Sequence, residues 1–260
     1  MLRQSRDGFA KTAGSSAITV SHAGETIAVS LRRSAAARRF TLRVRFAARD
    51  AVLTMPARAS LREAREFTER HAAWIAARLE RLPDVIPFVD GAIVPMRGVD
   101  HSVAHRPGAR GTVWVETARV EAEESVEGAS HRLCVAGAAE HMHRRLVDFF
   151  KREARRDLEE AVLRHTRALG LPPRGVGLRD TVSRWGSCSS SGSLNFSWRL
   201  VMAPPFVLDY LAAHEVAHLE HLDHSPRFWT LTRRLCAATD RAEAWLSAHG
   251  AHLHKYGASE

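Results

Sequence analysis

The sequence predicts an α+β chain. Residues 25–56 and 87–135 alternate apolar and polar side chains with the period of two expected of half-buried strands, while residues 60–82 and 138–169 carry apolar side chains at helical spacing. With 260 residues, 45% of them hydrophobic, the chain is long enough to bury the core these elements need. The expected organisation is a short flexible tail over 1–17, a mixed αβ region over 18–136 and a core domain over 137–260.

In the first region Ile27 and Val29, then Phe40, Leu42, Val44 and Phe46, then Val52 and Leu53 mark three short strands before Pro56. Ser60 and Glu63 fit a capping box, and Leu61, Ala64, Phe67, His71, Trp74, Ile75 and Leu79 continue at helical spacing until Pro83. One helix over 60–82 is therefore expected to cover this first sheet. Short alternating segments around 102–105, 112–115 and 132–135 predict further strands. From Ala138, Met142, Leu146, Phe149, Phe150, Leu158, Val162 and Leu169 hold helical register until Gly170 and Pro172 stop it. Residues 176–200 read as a hairpin, with a strand up to Trp185, the loop G-S-C-S-S-S-G-S and a strand over 194–200. Pro204-Pro205 opens a helix over 206–221, and Ser225-Pro226 opens another over 227–239. No internal repeat is visible.

Composition narrows the functional classes. No apolar run approaches the ~18 to 20 residues of a membrane-spanning helix, and the polar, charge-broken N-terminus lacks a secretory apolar core. Three cysteines without a C-x-x-C pair argue against a disulfide framework and make a reducing cytoplasm the simplest home. The net charge of +9 is carried almost wholly by arginine, since only Lys11, Lys151 and Lys255 are lysines. Such a surface suits acidic ligands or is simply solvated.

The chemistry concentrates in His214-Glu215-Val216-Ala217-His218, an H-E-x-x-H pattern on a predicted helix. Histidines four apart share a helix face and can converge on one ion, while Glu215, about 100° round the helix, reaches a water at that ion instead. A third protein ligand is needed. His221 lies seven positions from His214, about 10.5 Å of rise in a regular helix and too far; His224 lies beyond the expected helix end, where the chain can turn back. The metal set is therefore His214, His218 and His224, with Glu215 catalytic. His141, His143, His249, His252 and His254 read as surface residues.

These residues sit among further motifs: R-W-G-S-C over 184–188, Leu194-Asn195, Ala203-Pro204, Asp209-Tyr210, D-H-S over 223–225 and Phe228-Trp229. Together they resemble the YgjP-like zincin metallopeptidase family, specifically over 184–229 and loosely elsewhere. Asp223 stands where members usually have Asn, a position that touches no proposed ligand. The resemblance implies an N-terminal αβ region packed on a zincin-like core, with the H-E-x-x-H helix beside a small sheet. It implies one zinc ion per chain at His214, His218 and His224, a catalytic Glu215, and kinship with the SprT- and WLM-type minimal metalloproteases that act on DNA-linked proteins. Nucleotide pyrophosphohydrolase activity has been attached to some relatives.

The expected reaction is zinc-assisted hydrolysis of a peptide or protein, with Glu215 taking the proton of the attacking water and passing it to the leaving amine. Arg184, Asn195 and Tyr210 are candidate contacts to substrate or transition state, Arg184 and Tyr210 for the oxyanion. Residues 194–200 are either an edge strand presented to an extended peptide or a core strand. Cys188 reads as buried and structural. Two alternatives stand beside this reading. One is a nucleotide pyrophosphohydrolase drawing phosphates with Arg184, Arg199 and Arg227, although no P-loop pattern is present. The other is a nucleic-acid-binding protein on an inactive scaffold, tracking phosphates with Arg32, Arg33, Arg38, Arg39, Arg43 and Arg45.

Overall fold

The computed structural model describes residues 17–45, 50–81, 84–117 and 131–257. The first sixteen residues of the expected tail, Phe46 of the second expected strand, Leu82 at the end of the first expected helix and Pro83 lie outside them. The fold is α+β, and the chain divides into two compact units, Met1–Leu82 and Pro83–Glu260.

The first unit holds β1 (Ala17–His22), β2 (Glu25–Ser34), β3 (Thr41–Arg45) and β4 (Asp50–Pro56), followed by α1 (Leu61–Arg70) and α2 (Ala72–Glu80). The strands form one sheet in the order β1-β2-β4-β3. Its apolar face, including Ile18, Val20, Val29, Leu53 and Met55, shares a buried cluster with Ala64 and Ile75 of the helices. The capping box forms as expected: the Ser60 hydroxyl accepts the Glu63 N–H at 3.2 Å and the Glu63 carboxylate accepts the Ser60 N–H at 2.7 Å. The single helix expected over 60–82 is broken at His71. There the imidazole Nδ1 donates to the Phe67 carbonyl at 2.7 Å and the ring stacks on Phe67, occupying the acceptor that the next helical N–H would have used. Apolar spacing runs through this break undisturbed, which is why the pattern reads as one helix.

The second unit begins with β5 (Ile93–Met96), β6 (Val99–Arg106), β7 (Val113–Thr117) and β8 (His131–Ala136), then α3 (Met142–Leu169). Their sheet order is β5-β6-β8-β7. This repeats the first unit's topology: an antiparallel hairpin, a second antiparallel hairpin, and parallel pairing of the strands between them. Even the first turns agree. Ala23-Gly24 and Arg97-Gly98 both join their strands in two residues with positive φ, the geometry whose twist suits a tight hairpin. A repeat not visible in the sequence is thus present in the topology, because a sheet can be rebuilt from different apolar residues once turn positions and strand alternation are kept.

After α3, which ends at Gly170 in left-handed conformation, come β9 (Gly175–Arg179), β10 (Gly186–Cys188) and β11 (Ser193–Ser197), a 3-10 turn (Trp198–Met202), α4 (Pro205–Ala217), α5 (Pro226–Leu235) and α6 (Thr239–His249). The boundary expected at 136 falls inside this unit, since Leu133 and Val135 of β8 and Leu146 and Phe150 of α3 belong to one buried cluster with α4. The expected hairpin is a three-stranded sheet, order β10-β11-β9, with β9 parallel to β11. Its last strand stops at Ser197 rather than Leu200. β11 is paired on both sides and so is a core strand; β10 and β9 hold the two edges. Helix α4 is buried on nearly every side through Val207, Leu208, Leu211, Ala212, Ala213 and Val216, as a central helix must be.

Candidate metal centre

Helix α4 ends four residues earlier than expected. After Ala217 the N–H groups of Leu219 and Glu220 bond three residues back, to Val216 and Ala217, and the chain leaves the helix in a tight turn. That turn frees residues 218–225 to fold back, and Ser225-Pro226 then starts α5. The result brings His214, His218 and His224 together, with one ring nitrogen of each within 4.8 Å of the others. His224 Nε2 lies 3.2 Å from His214 Nε2. Two nitrogens bound to one tetrahedral zinc at ~2.0 to 2.1 Å would be about 3.3 Å apart, so the donors fit such an ion. His221 is not in the cluster; its Nε2 lies 3.6 Å from Glu220 Oε1.

Each buried imidazole is oriented from behind. His218 Nδ1 lies 2.9 Å from the His221 carbonyl, which can only accept, so the proton sits on Nδ1 and Nε2 keeps its lone pair for a metal. His214 Nδ1 lies 3.2 Å from the Tyr210 hydroxyl, which itself donates to Glu243 Oε1 at 3.1 Å. Phe228 of α5, fully buried, stacks on His218 at 4.4 Å between centroids and meets His214 and His224 edge-on. Burial, with His218 and His224 adding to it, brings the His214 pKa down to about 4, so the ring is neutral at physiological pH, the form that ligates metals. Burial also lowers that of His218.

Glu215 of α4 packs against Gly186 of β10. It is 4% exposed, and its Oε2 has no hydrogen-bond partner among the described residues. Burial raises its pKa to about 8, opposed by the charge of Arg184. Gly186 of β10 makes room for it: a Cβ there would stand 2.8 Å from Glu215 Cγ and Cδ. A buried carboxylate without a partner is costly unless a ligand or cation uses it.

The remaining expectations divide. Arg184 lies close enough to Glu215 to act on its charge. Tyr210 is buried behind His214 and bonded to it, so it is placed to orient a ring rather than to meet a substrate. Asn195 faces the side of the sheet opposite Phe196, over Gly177, and is not brought to the imidazoles. Cys188 is half-buried, its pKa raised by burial and by Glu215, and its thiol donates to the Ser189 carbonyl. Sequence reasoning missed Gly186, Phe228 and Glu243 as parts of the centre. The Phe228-Trp229 motif was in view, but without the fold nothing linked it to the imidazoles.

A helix carrying two histidines and a glutamate, joined by a third histidine from the returning chain, has the donor set of a metallohydrolase. Residues 38–249 match the family model described as the YgjP-like metallopeptidase domain, and the chain belongs to that family. The solved structure of the metallopeptidase zymogen abylysin from Pyrococcus abyssi is similar at 21% identity and a TM-score of 0.30, covering 35% of this chain and 95% of its own. No curated protein matches the chain. Among the described residues no helix is long and apolar enough to cross a membrane. Nothing strengthens the nucleic-acid alternative: of the arginines on the first strands, Arg33 bonds the Ala57 and Ala59 carbonyls and Arg45 pairs with Asp50.

Proposed function

We propose that the protein is a zinc-dependent peptidase in which His214, His218 and His224 hold one zinc ion through their Nε2 atoms and Glu215 is the general base. The observation that carries this reading is the partnerless buried Oε2 of Glu215, on the residue that follows the first of three converging imidazoles. Zinc, when bound, supplies a Lewis acid that polarises the scissile carbonyl and acidifies water. Glu215 Oε2 takes the proton of the attacking water and delivers it to the leaving amine, and the positive charge of Arg184 favours its carboxylate form. Hydrogen bonds from Nδ1 hold the rings of His214 and His218, so neither must reorganise during turnover. Tyr210 and Glu243 stand behind His214, and Phe228 shields all three rings from one side. Family membership favours the peptide bond over the phosphoanhydride alternative.

The test is Glu215→Gln, an isosteric change that removes the base. Zinc content should be unchanged, and hydrolysis of a peptide mixture, followed by mass spectrometry, should fall by about 10²- to 10⁴-fold. Wild-type turnover in that variant would overturn the assignment.

A further inference from the structure

A cavity of about 130 Å³ opens where the loop from β9 to β10 meets the three-stranded sheet, lined by Arg179, Thr181, Arg184, Gly186, Ser187, Asn195 and Phe196. Beside Phe196 its lining holds two guanidiniums, two hydroxyls and an amide, all able to donate hydrogen bonds, and no carboxylate. Neither Arg179 nor Arg184 has an ion-pair partner among the described residues. The nearest acid in sequence, Asp180, is taken by buried Arg199, whose Nε and Nη2 donate to it at 2.7 and 3.1 Å. The contrast with the cavity bordering α3 is informative. There Arg97 pairs with Asp157 and Glu153, and Arg164 with Asp209, so those arginines are spent on the fold. Two unspent guanidiniums in one concavity make a positive site suited to a planar anion, which a guanidinium grips through paired N–H bonds.

The position of this cavity ties it to the reacting centre. Gly186 lines it and also makes the space that Glu215 fills, so the cavity and the general base share one strand residue. β10 is one of the sheet's two edge strands, the one that carries Gly186, and an extended peptide that pairs with it sends alternate side chains to opposite faces. Ser187 and its registered partner Asn195 lie on one face, as does Arg179, two residues beyond Asn195's other partner Gly177. A substrate residue next to the bond at Glu215 therefore places its side chain, or a chain end, over the two arginines.

We infer that this cavity is a substrate subsite for a peptide carboxylate, with Arg179 and Arg184 as its receptors and Ser187 and Asn195 as supporting donors. The inference rests on the peptidase reading above and adds a substrate class to it. The carboxylate belongs either to an Asp or Glu side chain beside the scissile bond or to the C-terminus of the substrate.

The experiment uses the zinc-loaded Glu215→Gln protein, which holds peptides uncleaved, and measures by calorimetry the binding of a peptide set. Each position in turn carries Glu or Gln, and each peptide is made with a free and an amidated C-terminus. One Glu position is expected to bind at least tenfold tighter than its Gln counterpart; if free against amidated termini show the tenfold difference instead, the carboxylate is the chain end. Either advantage should shrink below twofold when Arg179→Gln and Arg184→Gln are added together, and Arg179→Glu should turn the preference toward Lys at the same position. Binding within twofold across all pairs, or a carboxylate advantage that survives the double arginine change, overturns the subsite. Wild-type hydrolysis of the same peptides is read in parallel. Cleavage without a carboxylate preference overturns only the subsite, whereas no cleavage of any peptide overturns the peptidase reading.

Discussion

Gly186→Ala tests whether the placement of Glu215, and not merely its presence, sets the rate. Gly186 is ordinary strand backbone without a positive φ, so alanine is acceptable to the main chain and the effect isolates one contact. The new methyl would meet Glu215 Oε1 first and stand 2.8 Å from its Cγ and Cδ, where an ordinary contact is 3.4–4 Å. Strand or carboxylate must therefore give by about 0.6 Å or more. Glu215 is buried on a helix packed from nearly every side, and overpacking of this kind costs about 1–3 kcal/mol. A general base displaced by about 1 Å loses about 100-fold in rate. The assay is kcat on a cleaved peptide, with zinc content and thermal unfolding measured on the same sample. Zinc should stay bound, because the three atoms nearest the new methyl all belong to Glu215, while kcat falls by about 100-fold and stability drops by about 1–3 kcal/mol. Wild-type kcat with a lowered melting temperature would refute the reasoning, since the strain would then be absorbed away from the carboxylate.

Two further outcomes follow from groups behind the centre. Tyr210→Phe removes the hydroxyl that links His214 Nδ1 to Glu243, and should weaken zinc binding by about 10- to 100-fold in a chelator competition while leaving the fold intact. Asp209 gives a pH signature. Burial opposes its ionisation, but bonds from His165 and Arg164 outweigh it and bring the carboxyl down to about 2. A depressed carboxyl stabilises the fold above its unfolded pKa of about 3.9 and loses that contribution as pH falls toward the folded value. Discounted for partial exposure, this is worth about 1–2 kcal/mol. Urea unfolding of the zinc-free protein should show Asp209→Asn less stable by that amount at neutral pH, with the gap closing as pH falls to about 2. A gap independent of pH would contradict this account of Asp209.

Much of the fold was legible where local chemistry speaks. The Ser60 capping box, the Gly170 stop and the Ser225-Pro226 start each depend on residues within one turn of the feature they set. The gathering of His214, His218 and His224 was equally readable, because two share a helix face and the third sits where the chain can return. Features decided by competition or by distant packing were not. The side chain of His71 took a backbone acceptor and broke a helix through which the apolar pattern continued. Nothing in Cys236 to Thr239 resembles a glycine or proline stop, yet α5 ends at Leu235 and α6 begins at Thr239. Gly186 and Glu215 meet across 29 positions of sequence, and Glu243 reaches Tyr210 from a helix the pattern did not reveal. Alternation in residues 194–200 left an edge strand and a core strand equally open, because it does not tell a strand paired on both sides from one paired on one.

Metal analysis of untagged protein tests the central claim most directly, comparing the wild type with His224→Ala and His221→Ala. The account predicts one zinc per chain in the wild type and its loss in His224→Ala. It predicts retention in His221→Ala, whose backbone carbonyl still holds His218. Zinc kept by folded His224→Ala, or refused by the folded wild type when supplied, would contradict it.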